Sequence, residues 1–232
     1  MRAANPLFLL DYDGTLAPIA PRPEEALPHP EALEVLKGLM ARYPLYVITG
    51  RRVADLARLL PLPGLPVVGG HGLEEGVVGG EARPLFPVDL APLRPRLPVC
   101  PGVRVEDKGF ALALHFREAA DEAKARACLE AWLEAQGELL ERLGLEALPG
   151  KMVLELKPKG VDKGQAALRL LRRHPGRTPV YVGDDLTDEA AFRALKGLGL
   201  TLKVGEGPTQ AGGRLRDVEA VLDYLKTYLP GP

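Results

Sequence analysis

Cysteine is nearly missing from the 232 residues. There are two, Cys100 and Cys128, and no CxxC or Cys/His spacing surrounds either. That argues against a zinc site and a disulfide scaffold, and predicts two free thiols in a reducing compartment. No apolar run approaches the ~18–20 residues of a membrane span. The stretch Pro6–Leu10 is too short for a signal peptide and leads directly into acidic residues. No long block of one charge occurs, with 30 Lys and Arg against 31 Asp and Glu. A nucleic-acid partner, which needs a clustered basic face, is therefore not expected. Asn5 is the only asparagine and glutamine is scarce, while 23 prolines are present and Lys, Arg and Glu are plentiful. This fits a thermophile bias, and a high-GC genome would give much of it too. The chain reads as a cytoplasmic monomer with no membrane partner.

What is present suits a packed globule. Hydrophobic residues make up 46% and charged residues 26%, enough to bury a core without staples. At roughly 150 residues per domain the length allows one large domain or two small ones.

Short apolar runs alternate with helical-period stretches. Leu7–Leu10, Leu45–Ile48 and Pro66–Val68 read as buried strands, with helices over Glu31–Arg42 and Val53–Leu60 between them. Near-continuous apolar strands separated by amphipathic helices predict a parallel sheet covered on both faces. The pattern changes after about residue 88. Val103–Glu106 and Phe110–Phe116 alternate apolar and polar around the turn Asp107-Lys108-Gly109. A long helix over Ala119–Leu143 follows, with Gly137 a candidate kink, and then a second hairpin over Leu145–Leu156. The α/β pattern resumes with a helix from Lys163 to Arg173 capped by Asp162, a strand at Pro179–Val182 and a helix at Thr187–Leu195. A strand at Leu200–Val204 and a helix at Arg216–Tyr228 close it. The expected fold is a Rossmann-like α/β core, residues 1–88 plus 158–232, carrying an inserted small α+β domain at 89–157.

Four places carry chemistry. Phe8-Leu9-Leu10-Asp11-Tyr12-Asp13-Gly14-Thr15 ends an apolar strand in two carboxylates two residues apart. Residues i and i+2 of a strand share a face, so both arrive at the carboxyl edge of the sheet, where open α/β folds bind ligands. Thr49 ends the second strand with a hydroxyl able to bond a phosphoryl oxygen, and Arg51 binds substrate or begins the next helix. Lys163 opens a helix, where a cation sits unfavourably with the dipole unless it extends to an anionic site. Gly183-Asp184-Asp185-Leu186-Thr187-Asp188-Glu189 ends another buried strand in acids. Such a group is costly unless a cation gathers it, and carboxylate oxygens favour Mg²⁺. Asp188 and Glu189 also suit the positive N-terminus of the next helix.

Together these motifs resemble the haloacid dehalogenase superfamily of phosphohydrolases, and within it the trehalose-6-phosphate phosphatase family. The phrases that carry the resemblance are LDYDGTL, VITGR, GGHGLE, VEDKGFALALHFR, GKMVLELKP, VDKG and VGDDLTDE, spread over nearly the whole chain. The resemblance implies Mg²⁺-dependent hydrolysis of trehalose 6-phosphate. Asp11 would be the nucleophile and Asp13 the general acid and then base. Thr49 and Lys163 would hold phosphoryl oxygens. Asp11, the backbone carbonyl of Asp13, and Asp184 would hold the metal, supported from behind by Asp185 and Asp188. The inserted domain would be a cap that selects the sugar. Arg51, His71, Glu74, His115, Arg117, Lys151 and Glu155 are the candidate substrate contacts, with Glu106 and Lys108 nearby. Phe116 departs from the family, which commonly has tyrosine there. The alternatives are a phosphatase of sucrose 6-phosphate or a glycosyl-3-phosphoglycerate, a phosphomutase, and a non-catalytic phosphosugar-binding protein.

Overall fold

The computed structural model describes residues 2–150 and 152–231. The chain opens with β1 (Pro6–Leu10), α1 (Ala32–Met40), β2 (Leu45–Ile48), α2 (Val53–Leu59), β3 (Pro66–Gly69), β4 (Glu74–Val77) and β5 (Arg83–Pro84). It continues through β6 (Arg104–Asp107), β7 (Leu112–His115), α3 (Glu122–Arg142), β8 (Leu145–Gly150) and β9 (Val153–Pro158). It ends with α4 (Lys163–Arg173), β10 (Thr178–Gly183), α5 (Glu189–Ala194), β11 (Leu200–Val204), β12 (Gly213–Leu215) and α6 (Val218–Lys226). These elements form two compact units, Met1–Leu85 with Asp162–Pro232, and Phe86–Val161.

The first unit is an eight-stranded sheet in the order β12-β11-β10-β1-β2-β3-β4-β5. The strands from β12 to β3 run parallel, and β4 and β5 are antiparallel. All five residues of β1 are buried because its two faces meet different layers. Phe8 and Leu10 pack with Leu36 and Leu39 of α1, Val53 and Leu56 of α2, and Val221 and Leu225 of α6. Leu7 and Leu9 pack with Ala166 and Leu170 of α4 and Phe192 of α5. A strand buried on both sides has no polar alternation, which is why its sequence reads as a continuous apolar run. The hydrophobic pattern does not mark β4, β5 or β12. They are short and rich in glycine, charge or proline, so they lack the apolar run of a central strand. The helix expected over Thr187–Leu195 is split into a 3-10 turn at Leu186–Asp188 and α5.

The second unit is a four-stranded antiparallel sheet, β6-β7-β9-β8, with α3 against one face. Leu112, Leu114 and Leu156 of the sheet share apolar clusters with Leu129, Leu139 and Leu140 of α3. The helix is a single 21-residue element through Gly137, so the expected kink is corrected. Its N-terminus is Asp121, whose side chain accepts from the Lys124 amide at 3.0 Å.

The free thiols are also corrected: Cys100 and Cys128 form a disulfide, with Cα atoms 6.0 Å apart. Cys100 precedes β6 and Cys128 lies on α3, and packing around Leu114, Phe116, Ala125 and Leu129 brings them together. A separation of 28 residues has no local spacing signature, so the pairing is visible only in three dimensions. Closing a loop of this size restricts the unfolded chain by about 3.5 kcal/mol in the chain-entropy picture. Replacing both cysteines by serine is expected to lower the urea midpoint accordingly. Reduction with dithiothreitol should match the double variant, and a midpoint unmoved by either would show that the bond contributes nothing.

Candidate active site

β1 pairs with β10 on one side and β2 on the other, so their carboxyl ends lie side by side. Asp11 follows β1 directly, and its amide donates to the Val182 carbonyl at 2.9 Å. The residue is 4% exposed. Gly14 then turns the chain at φ +77°, a conformation that favours glycine. A Cβ there would also collide with the Asp184 carboxylate. The turn delivers Thr15, whose hydroxyl donates to Asp11 Oδ2 at 3.5 Å.

Lys163, at the first position of α4, is 2% exposed. Its ammonium donates to Asp11 Oδ1 at 2.7 Å and to Asp188 Oδ1 at 2.8 Å. α4 reaches this depth because Gly164 packs against the backbone of Ala190, where a Cβ would clash. Asp162 accepts from the Gln165 amide at 2.8 Å and caps the helix.

Asp188 is fully buried, and both its oxygens are engaged. Oδ1 accepts from Lys163 and from the Tyr181 hydroxyl, each at 2.8 Å. Oδ2 accepts from the amides of Asp184 and Asp185, each at 3.0 Å. It is the frame on which the acidic turn is built. The Asp185 side chain accepts from the Leu186 amide at 2.6 Å, capping the 3-10 turn.

The charges do not balance. Asp11, Asp184 and Asp188 each place a carboxylate oxygen within 4.8 Å of the others, and the Lys163 ammonium is paired with two of them. Burial pushes Asp11 well above the usual carboxylate range, and Lys163 offsets this only in part. Burial, then the neighbouring Asp188 carboxylate, pushes Asp184 up to about 6. Burial opposes the charge on Lys163, but Asp11 and Asp188 outweigh it and the net shift is upward. Asp184 Oδ1 is buried with no hydrogen-bond partner. A hard divalent cation would satisfy that oxygen and supply the missing positive charge, so the residues fit one.

Thr49, 1% exposed, follows β2, and its hydroxyl accepts from the Arg51 amide at 3.1 Å. Arg51 grips Asp13 with both ends of its guanidinium, Nε to Oδ2 at 2.7 Å and Nη2 to Oδ1 at 2.6 Å. Glu74 is buried, and its Oε1 accepts from the Val53 amide at 2.6 Å at the start of α2. The ring of His71 lies against Gly50.

In the second unit, Glu106, Ala113 and Glu155 form one row across β6, β7 and β9. His115 Nε2 and Glu106 Oε2 are 2.8 Å apart. The Lys108 ammonium donates to Glu155 Oε1 at 2.7 Å. Arg117 is exposed and lies beyond β7, so it does not share a strand face with His115 as alternation predicts. Lys151 lies outside the described residues.

The sequence matches the trehalose-phosphatase family over residues 9–87 and 90–212. The chain belongs to the trehalose-phosphatase family. Among its relatives is the trehalose-6-phosphate phosphatase of Escherichia coli K12. The two are 33% identical over 235 residues, spanning 97% of this chain and 86% of that protein. The trehalose-phosphate phosphatase of Mycobacterium tuberculosis H37Rv is 36% identical over 205 residues, 82% of this chain. The chain matches about half, 51%, of that longer protein. A solved trehalose-6-phosphate phosphatase related protein superimposes with a TM-score of 0.73 at 32% identity, covering 96% of each chain. The C-terminal domain of the Candida albicans trehalose-6-phosphate phosphatase gives 0.72 at 26% identity, over 97% of this chain and 92% of that one. Its relatives and the likeness of a Bacteroides thetaiotaomicron haloacid dehalogenase-like hydrolase, TM-score 0.71, place this trehalose-phosphatase chain in the haloacid dehalogenase fold.

Within this trehalose-phosphatase chain the structure engages three residues that the motifs do not single out. Thr15 and Tyr181 have signals in hindsight, a hydroxyl four residues after Asp11 and a tyrosine two before Gly183. Lys203, on β11, has none beyond being a lysine inside an apolar run. No described helix is long and apolar enough to cross a membrane.

Proposed function

We propose that the chain hydrolyses trehalose 6-phosphate to trehalose and inorganic phosphate. The observation that carries this reading is the buried Lys163 bridge between Asp11 and Asp188, in a chain of the trehalose-phosphatase family. Asp11 sits where a strand-end nucleophile is presented to a ligand at the sheet edge.

In the first step a carboxylate oxygen of Asp11 attacks phosphorus. The bond to the sugar oxygen breaks, and Asp13 gives that oxygen a proton. In the second step Asp13 takes a proton from water as the water attacks the aspartyl-phosphate, freeing phosphate and restoring Asp11. Arg51 holds both oxygens of Asp13 in the structure, and Asp13 serves the two transfers once an oxygen is released from that grip. Thr49 and Lys163 bind the phosphoryl oxygens, and Lys163 limits the repulsion between the incoming anion and Asp11. Asp11, the Asp13 carbonyl and Asp184 would hold Mg²⁺, which supplies charge neutralisation when bound. Asp188 has no oxygen left for a metal and acts through Lys163 and the Asp184 turn.

Residues 86–161 serve as the cap that selects the sugar. Glu106, Lys108, His115 and Glu155 offer paired donors and acceptors suited to hydroxyl groups. In the first unit the proposed substrate contacts are Thr49 and Lys163 for the phosphoryl group, with Arg51, His71 and Glu74 as candidates for the sugar. The protein acts in the cytoplasm. A disulfide inside a cytoplasmic protein fits the thermostable composition, since intracellular disulfides are a habit of hyperthermophiles.

Phosphate release from a panel of sugar phosphates tests the reading. The panel holds trehalose 6-phosphate, sucrose 6-phosphate, glucose 6-phosphate and mannosyl-3-phosphoglycerate, each with Mg²⁺ and with EDTA. Strong preference for trehalose 6-phosphate, lost in EDTA, is expected. Metal-dependent turnover of another member would keep the Asp11 chemistry and overturn the role given to the cap.

A further inference from the structure

Lysine is almost never fully buried without a carboxylate partner. Lys203 is 7% exposed, on the fourth residue of β11, and among the described residues it forms no ion pair. Its ammonium donates instead to the backbone carbonyl of Asp184. The register explains the reach. Lys203 pairs with Gly183 on β10, the residue just before Asp184. Gly183 itself has room for no side chain, because a Cβ there would collide with the Asp188 carboxylate.

The Asp184 backbone is thus held at both ends. Its amide donates to Asp188 Oδ2, and its carbonyl accepts from Lys203. A residue clamped on both peptide planes has little freedom in where its side chain projects. That matters here because Asp184 carries the buried oxygen without a partner. The loop after β11 is tied down beside the same strand. The Gly212 amide donates to the Thr201 hydroxyl at 2.8 Å, and the Gln210 amide donates to Glu189 Oε2 at 2.8 Å.

We infer that Lys203 is a positioning residue for the metal site, acting through the Asp184 carbonyl to aim the Asp184 carboxylate at a divalent cation. The inference rests on the metal reading above. Two opposed effects decide its sign. Deleting a nearby positive charge alone would tighten cation binding. Losing the clamp would loosen it, and outer partners of metal ligands typically matter by about 10- to 100-fold in affinity.

The test is direct binding of Mn²⁺, followed by electron paramagnetic resonance on the full chain without substrate. Lys203→Met is expected to weaken Mn²⁺ about 10-fold or more, and Lys203→Arg to recover most of it. Asp184→Asn should also weaken binding, and adding Lys203→Met to it should cost little more, because the two act on one ligand. With trehalose 6-phosphate, Lys203→Met should raise the Mg²⁺ needed for half-maximal rate and leave KM for the sugar phosphate unchanged. A folded Lys203→Met protein that binds Mn²⁺ as tightly as the parent, or more tightly, overturns the inference. If that variant does not fold, Lys203→Gln, whose amide can still donate to the carbonyl, carries the same test with an intermediate loss expected. A parent protein that binds no Mn²⁺ overturns the metal reading itself, which separates the two failures.

Discussion

Asp11→Asn is expected to cut phosphate release by about 10⁶-fold, the scale of loss when an enzyme's covalent nucleophile is removed. The amide oxygen is a poor nucleophile, and no other described group takes the place of the carboxylate at the end of β1. The fold should survive. The substituted amide can still accept from Lys163, which lies 2.7 Å from Asp11 Oδ1. The substitution also removes a buried charge from a site where carboxylates outnumber ammonium groups, so the urea midpoint should hold or rise. Acid quenching after a single turnover should trap phosphate on the parent chain and none on the variant. Normal turnover in a clean preparation of Asp11→Asn would sink the nucleophile assignment.

Lys163→Met is expected to damage both activity and stability. The ammonium is enclosed by Asp11 at 2.7 Å and Asp188 at 2.8 Å, and all three side chains are buried. Removing one member of such a group leaves buried charge without compensation, typically about 3–5 kcal/mol. The pH dependence has a definite sign. Asp11 already has a folded-state pKa above its unfolded value, and burial causes it. A carboxyl shifted upward lends stability at low pH that is lost as pH rises through the shifted value. The deficit of Lys163→Met should therefore shrink in acid and grow toward neutral pH. Urea unfolding at several pH values measures it. A deficit that is the same at every pH would show that the loss is packing around the lysine stem, with no electrostatic part.

Much of this site is legible in the sequence because it lies where local sequence changes character. Asp11, Thr49 and Asp184 each end an apolar strand, and Lys163 begins a capped helix. Strand order then brings residues from distant segments to one edge, a step that parallel α/β topology makes predictable. The parts that are not legible depend on side chains meeting across elements. Glu74 reads as a sugar ligand in its motif and is bonded to the α2 amide at Val53. Arg51 has two readings in sequence, and the bidentate grip on Asp13 is a third. Cys100 and Cys128 meet because α3 crosses its sheet at one particular height. The alignment of Glu106 and Glu155 across Ala113 depends on strand register, which hairpin patterning alone does not supply.

The central pairing of the sheet joins Pro6–Leu10 to Thr178–Gly183, with the whole second unit in the chain between them. On a ribosome the first strand leaves the exit tunnel long before its neighbour is synthesised. Contacts this distant in sequence are slow to form because loop closure precedes the gain. Joining β1 to β10 closes a loop that holds the whole second unit, whereas the hairpins of that unit close far shorter ones. A nascent or truncated chain ending before β10 has the aspartate and no assembled site. The site therefore depends on segments far apart in sequence, β1 before the second unit and β10 after it.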